Sequence, residues 1–285
     1  MYEKEMQETP FIRIKKATSS FVPSDLVQYL PEKWEKIGSV VIIRLPAMLQ
    51  GYKESVGRVY AEVLGCATTL HDTGGIIGVY RTPVVEVIFG SSHTETVHIE
   101  NGIRFKVNPQ RIMFSSGNMA ERRRMASVAA AQETVVDLFA GIGYFTLPLA
   151  VYRAPRIVIA CEINPVAYEY LCANVVLNHV GHLVEPRLGD NRKVAPEACA
   201  DRVIMGYLQN PQEFLPVAFK CLKPQGGILH YHELVPVELI PQQPLSHIEQ
   251  VARQFDRRVE MLGVHEVKSY APRVNHMVLD VRISG

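Results

Sequence analysis

The sequence contains no CxxC pair and no HExxH, and its five cysteines (Cys66, Cys161, Cys172, Cys199 and Cys221) are odd in number and widely spaced. That argues against a disulfide framework or a zinc site, and buried reduced thiols are the simplest reading. The ten histidines show no ligand spacing with the cysteines, so no metal is assigned. Long apolar runs are missing as well. Val40 to Ile43 and Ile157 to Cys161 fall far short of the ~20 residues of a membrane span. The N-terminus, Met1-Tyr2-Glu3-Lys4-Glu5, lacks the basic start and apolar stretch of a signal peptide, so a cytoplasmic chain without a membrane partner is expected. Net charge is only +1, so the molecule as a whole does not advertise a polyanionic ligand. No internal repeat is visible, and no protein partner is inferred.

What is present is enough apolar residue for a core: 285 residues, 47% hydrophobic and 21% charged, sufficient for one large domain or two ordinary ones. Residues 1–35 read as a polar, flexible or wrapping arm. Residues 36–109 read as a small α+β domain: a strand from Ser39 to Leu45, a helical spacing of Leu49, Tyr52, Val56, Tyr60 and Val63, then short strands with Asn101-Gly102 as a hairpin turn. From 110 to 285 strands alternate with helices, which implies a parallel sheet covered on both faces. Arg258 to Leu262 and Val274 to Ile283 are placed to close it with antiparallel strands.

The chemistry concentrates where that alternation starts. Asp137-Leu138-Phe139-Ala140-Gly141-Ile142-Gly143 ends a β-branched strand and opens a helix, and small residues there allow a tight turn and close approach of a ligand to the backbone. The segment resembles the first motif of class I methyltransferases, with Asp137 near the methionine part of the cofactor. A nicotinamide-binding turn is the competitor, but Thr146 occupies its third glycine position. Glu162 ends the next strand, where an acid either accepts both ribose hydroxyls or favours the following helix N-terminus. Asp190-Asn191 after the third strand either reads adenine or makes an Asx turn. The basic clusters are Arg122-Arg123-Arg124 and Lys268 to His276, each of which also fits a solvated face.

Taken with Leu45-Pro46, Gly51-Tyr52-Lys53, Gly74-Gly75, Tyr80-Arg81, His98 to Gly102, Phe114 to Arg124, Asp201 to Met205 and Gly227 to His232, these motifs resemble the archaeal family that modifies the guanosine 3′ to the anticodon. The resemblance runs from about residue 35 to the end. It implies an α/β fold, a class I methyltransferase (Rossmann-like) sheet with a smaller N-terminal α+β domain, using S-adenosyl-L-methionine as group donor on tRNA. One branch of the family methylates nitrogen 1 of guanosine. The other transfers a 3-amino-3-carboxypropyl group to carbon 7 of 4-demethylwyosine in phenylalanine tRNA. Methylating relatives carry an Asn-x-Pro motif after the fourth strand; this chain has Met205-Gly206-Tyr207-Leu208, which, with His230-Tyr231-His232 and Lys268-Ser269-Tyr270-Ala271-Pro272, is similar to the second branch.

On this resemblance Ser115, Arg122, Asp137, Phe139, Gly141, Gly143, Glu162, Asp190 and Asn191 are the expected cofactor-binding residues. Ser115 and Arg122 would clamp the chain being transferred, since arginine binds carboxylates bidentately. Tyr207, His230 and Arg123 are expected at the base or the anticodon region of tRNA-Phe, Tyr207 by stacking, its alternative being simply to pack under the loop. At most one of His230 and His232 is expected to face the site, a packing or hydrogen-bonded role being the better reading of both. No general base is named.

Overall fold

A computed structural model describes residues 8–128 and 131–285. Its contacts divide the chain into one unit that runs to Ile99 and takes in Phe105–Phe114, and a second made of Glu100–Arg104 and Ser115–Gly285.

In the first unit, Thr9 caps α1 (Pro10–Thr18), accepting from the Ile12 N–H, and Pro10 sits where a missing N–H costs nothing. Where an arm was expected, residues 10–30 belong to the core: Ile14, Val22 and Leu30 are buried with Val41, Leu49, Val56 and Tyr60. The reason is that the polar composition of this stretch is punctuated by apolar side chains that all find one cluster. β1 (Glu35–Ile37) pairs antiparallel with β2 (Val40–Ile43). A 3-10 turn over Ala47–Tyr52 then leads into α2 (Lys53–Leu64), which crosses to β3 (Thr68–Ile77), parallel to β2. β4 (Thr82–Phe89) returns antiparallel on β3. β5 (Thr96–Glu100) and β6 (Ile103–Val107) form a two-stranded sheet. Their turn is Asn101-Gly102, with φ of 49° and 75° as a two-residue hairpin requires.

The second unit contains α3 (Met119–Met125), β7 (Thr134–Asp137), α4 (Thr146–Arg153), β8 (Ile157–Glu162), α5 (Pro165–Leu177), β9 (Val184–Leu188) and α6 (Asn191–Val194). β10 (Arg202–Met205), α7 (Leu215–Cys221), β11 (Gly226–Pro236), α8 (Gln242–Gln254), β12 (Arg258–Ala271) and β13 (Val274–Ser284) complete it. The seven strands are ordered β12-β13-β11-β10-β7-β8-β9. β11, β10, β7, β8 and β9 are parallel, while β13 runs antiparallel to both β11 and β12. This is the class I methyltransferase sheet, and the first unit is the smaller α+β one. All four residues of β7 and of β10 are buried, as central strands covered on both faces must be. Chain order reverses between β7 and β10, so a crevice opens beyond their carboxyl ends, the usual ligand position in such sheets. Among the described residues no helix is long and apolar enough to cross a membrane.

The burial of Ile14 generates a test. Ile14→Ala is expected to cost about 2–5 kcal/mol in urea unfolding, the range for truncating a fully buried aliphatic side chain. A loss under ~1 kcal/mol, typical of surface substitutions, would put residues 10–18 outside the core.

Candidate functional site

The turn from β7 to α4 organises the crevice. Gly141 and Gly143 have φ of 57° and 99°, which side-chain-bearing residues avoid. Asp137 is fully buried beneath them. Its two carboxylate oxygens accept from the Phe139 N–H at 3.2 Å and the Thr146 hydroxyl at 2.8 Å. Burial raises its pKa to about 6 against the pull of those two bonds, and the nearby Glu162 charge adds to the rise. Asp137 therefore braces the turn from inside, and the expectation that it contacts the cofactor is corrected: no face of it is open.

Glu162 is half-buried at the tip of β8, with Oε2 accepting from the Gly141 N–H and Oε1 from the Asn164 N–H, both at 2.7 Å. Burial raises its pKa, while the N–H donors of Asn164, Gly141 and Ile163 hold it down. Asn191 donates Nδ2 to the Leu138 carbonyl at 3.0 Å, and its buried Oδ1 meets no donor. The neighbouring Asp190 caps α6 through the Arg192 N–H at 3.0 Å and accepts from the Arg192 guanidinium at 2.6 Å. Those Arg192 hydrogen bonds lower its pKa. So Glu162, Asn191 and the glycines converge on one turn, whereas the Asp190 carboxylate is engaged beside it.

The arginine run divides three ways. Arg122 is 2% exposed. It donates Nε and Nη2 to Glu100 at 2.7 and 2.5 Å, and Nη1 to the Ser115 carbonyl at 2.9 Å. The expected clamp on a ligand carboxylate is therefore corrected: the guanidinium fork already grips a carboxylate of its own chain and fixes the Ser115 backbone from behind. Arg124 bonds Glu121 and Asp280. Only Arg123 stays exposed, donating to Asn101 Oδ1 at 3.0 Å. Ser115 itself turns its hydroxyl to Lys268, whose Nζ donates at 2.9 Å.

After β10, Tyr207 stacks on Phe139 with ring centroids 4.7 Å apart and planes 6° from parallel, and Phe214 meets both edge-on. Behind this loop Gly206 lies against Phe145, whose ring would stand 2.6 Å from a Cβ there. Among the described residues no group of three or more His, Cys, Asp and Glu is placed to hold a metal ion.

A model of the TRM5/TYW2 methyltransferase domain matches residues 96–262, and one of the TYW2 N-terminal domain matches residues 14–94. The chain belongs to the TRM5/TYW2 family. A tRNA(Phe) (4-demethylwyosine(37)-C(7)) aminocarboxypropyltransferase from Pyrococcus horikoshii is 43% identical over 271 residues, 95% of this chain and 96% of the relative. The tRNA (guanine(37)-N(1))-methyltransferase Trm5b of Pyrococcus abyssi is 38% identical over 264 residues, 92% of this chain and 78% of the relative. The crystal structure of P. horikoshii TYW2 in complex with MeSAdo superposes with a TM-score of 0.86 at 40% identity, covering 96% of this chain and 99% of that one.

In this TRM5/TYW2 chain the histidines of β11 are buried. His230 and His232 both lie on the face of the sheet that carries α3, because residues two apart on a strand share a face; the expectation of only one facing the site was wrong in its parity. His230 is 1% exposed, between the Arg202 guanidinium at 2.7 Å and Asp280 at 2.6 Å. Its place among substrate residues is corrected on that ground: burial on a central strand and two partners close it off. Burial depresses its pKa, opposed by Asp280. Asp280 in turn is disfavoured as an anion by burial, yet His230 and Arg124 outweigh that and hold its carboxyl well below the usual range. His232 Nδ1 and His276 Nε2 lie 3.0 Å apart; among the described residues His276 Nδ1 is buried without a hydrogen-bond partner, and His232 Nε2 faces Glu121 Oε1 at 3.7 Å, beyond hydrogen-bond reach. Glu100, Glu121, Asp280, His276 and Lys268 were not singled out individually from sequence as members of this arrangement. The i, i+3 spacing of Glu121 and Arg124 was the one local signal of it.

Two outcomes follow from these buried groups. Glu100→Gln leaves the Arg122 charge buried without its counterion and is expected to cost about 3–5 kcal/mol of stability. The Glu100→Gln/Arg122→Met double variant should lose less than the two single losses combined. Additive losses in urea unfolding would show that the two side chains do not interact. His276 has its pKa depressed to about 4, by burial first and the Lys268 charge second. The unfolded chain therefore takes up that proton first, and the stabilisation present above pH 6.5 disappears as pH falls towards 4. Asp137, with its raised pKa, works in the opposite sense below pH 6. His276→Gln isolates the imidazole, since Asp137 stays in both proteins. Between pH 7 and 4 the variant should lose up to roughly 3 kcal/mol less than wild type. Parallel curves from unfolding titrations would refute the assignment.

Proposed function

We propose that the chain is a cytoplasmic enzyme that transfers the 3-amino-3-carboxypropyl group of S-adenosylmethionine to carbon 7 of 4-demethylwyosine at position 37 of phenylalanine tRNA. Methylthioadenosine is the second product. The observation that carries this reading is the near full-length identity, 43% over 95% of the chain, to a protein bearing that name.

The residues present fit the donor. The Glu162 carboxylate, held by backbone N–H donors including Gly141 on Oε2 and Asn164 on Oε1, keeps lone-pair capacity for ribose hydroxyls. The Asn191 Oδ1, buried and unmet, suits the amino group of adenine. A sulfonium activates every carbon attached to it, so the transferred group is set by which carbon meets the nucleophile, and no metal is required. The bond from carbon 7 to the γ-carbon forms as the γ-carbon to sulfur bond breaks, its electron pair passing to sulfur, and the carbon 7 proton is lost. What the chain contributes is alignment, which alone supplies much of such a barrier reduction. The Phe139–Tyr207 stack offers an aromatic plate for the tricyclic base. Arg123, the exposed member of its run, is left for phosphate near the anticodon.

The second reading is methyl transfer to nitrogen 1 of guanosine 37, favoured by the 38% identity to Trm5b. One experiment separates the two. Unmodified tRNA and tRNA carrying 4-demethylwyosine are offered with donor labelled separately in the methyl group and in the aminocarboxypropyl chain. The expected result is chain label in the premodified tRNA alone. Methyl label on unmodified guanosine would transfer the protein to the other branch.

A further inference from the structure

Glu233 on β11 is 5% exposed, yet among the described residues no arginine or lysine stands beside it. The other buried glutamates of this unit, Glu100 and Glu121, each meet a guanidinium. Asp137 is tied to its own turn. Glu233 instead turns both oxygens to α8. Oε1 accepts from Gln243 Nε2 at 2.7 Å, and Oε2 lies 3.2 Å from His247 Nδ1. Gln243 and His247 are four residues apart, so one face of the helix supplies both. An ionised carboxylate only accepts, which puts the Nδ1 proton toward Glu233 and leaves Nε2 its lone pair. The His247 side chain is 29% exposed, and among the described residues Nε2 has no hydrogen-bond partner. A carboxylate held behind one ring nitrogen orients the imidazole and steadies a positive charge on it.

The sheet sets this pair beside the aromatic plate. Met205, the last residue of β10, is in register with Tyr231 on the adjacent, parallel β11. Tyr207 and Glu233 each follow that register pair by two residues, so they stand at one height at the ligand end. They also share a side of the sheet. Glu233 lies on the face of Tyr231, because residues two apart on a strand point the same way. Tyr231 belongs to the core that α8 covers with Ile248 and Val251, and Phe139 and Phe214 pack against that same core. Those two rings are the ones Tyr207 stacks on and abuts.

We propose that His247 Nε2 accepts the proton that carbon 7 loses, with Glu233 as the positioning residue behind it. This rests on the transfer named under the proposed function. Carbon 7 gives a π pair to the γ-carbon as sulfur takes the electrons of its own bond, and the base is left with a positive charge. The His247 lone pair then removes the carbon 7 proton, and the C–H electron pair returns to the ring. The imidazolium faces the Glu233 charge and releases its proton to solvent from its exposed edge.

The test uses the full chain and tRNA carrying 4-demethylwyosine with hydrogen or deuterium at carbon 7. His247→Gln should lower kcat on the order of 100-fold, the lower end of what a positioned proton acceptor contributes. Its affinity for S-adenosylmethionine and its KM for the tRNA should stay at wild-type values. Proton removal then limits the rate, so deuterium should slow the variant more than it slows wild type. Glu233→Gln should lower kcat through His247 alone, leaving the double variant no slower than His247→Gln. Wild-type kcat in His247→Gln overturns the inference. So does a slowed His247→Gln without the added deuterium effect, which would make the histidine a support of α8. Methyl label on unmodified guanosine from the wild-type chain overturns the transfer itself, and that result is read before any variant is made.

Discussion

Asp137 sits with no exposed surface under the turn that ends β7, and both its oxygens are tied to that turn. The rest of the site hangs from the same few residues. Glu162 is oriented by the Gly141 N–H, Asn191 by the Leu138 carbonyl, and Tyr207 by the Phe139 ring. A strand tip, a helix start and a loop are thereby referenced to a single backbone segment. A buried carboxylate is expensive unless its hydrogen bonds are made. The two donors offset that cost only while the turn keeps its shape, so the turn and the burial enforce each other.

The opposite end of the crevice is built on charge kept out of water. Arg122 with Glu100 and Arg124 with Asp280 form pairs between elements far apart in the chain, and Arg124 also holds Glu121 within its own helix. Such pairs add little net stability compared with well-packed apolar residues, but removing one partner is costly. Their effect here is geometrical. They fix α3 on the β11–β13 face and so fix the Ser115 backbone that α3 follows. The near-neutral total charge of the chain conceals this, because two of the three arginines in the Arg122 to Arg124 run already have carboxylates.

Elements defined by short apolar runs between turn residues were legible in the sequence. β8 ends at Glu162 and β13 starts at Val274 as expected, and the GxG turn was found with its flanking strand and helix. α8 was not, since Pro241 and Pro244 punctuate its start, although Leu245, Ile248, Val251 and Ala252 recur at helical spacing. The fate of individual polar residues was hardest to see. Arg122 meets a glutamate 22 positions upstream, Lys268 a serine 153 positions away, and Arg124 an aspartate 156 positions away. No local pattern encodes those distances. A one-residue bulge between Glu266 and Lys268 decides which face Lys268 joins, and strand periodicity alone predicts the wrong one.

Gly206 has a consequence for how this family can diverge. With Phe145 so near its Cα, and His232 packed 5.2 Å behind that ring, any side chain introduced at 206 displaces an aromatic wall before it touches a substrate. A substitution at 206 in this chain therefore requires the Phe145 ring to move. Shrinkage at 145 would have to come first as a permissive change. The conformation open to the loop after β10 is in that respect set by a ring on α4's approach rather than by the loop's own residues.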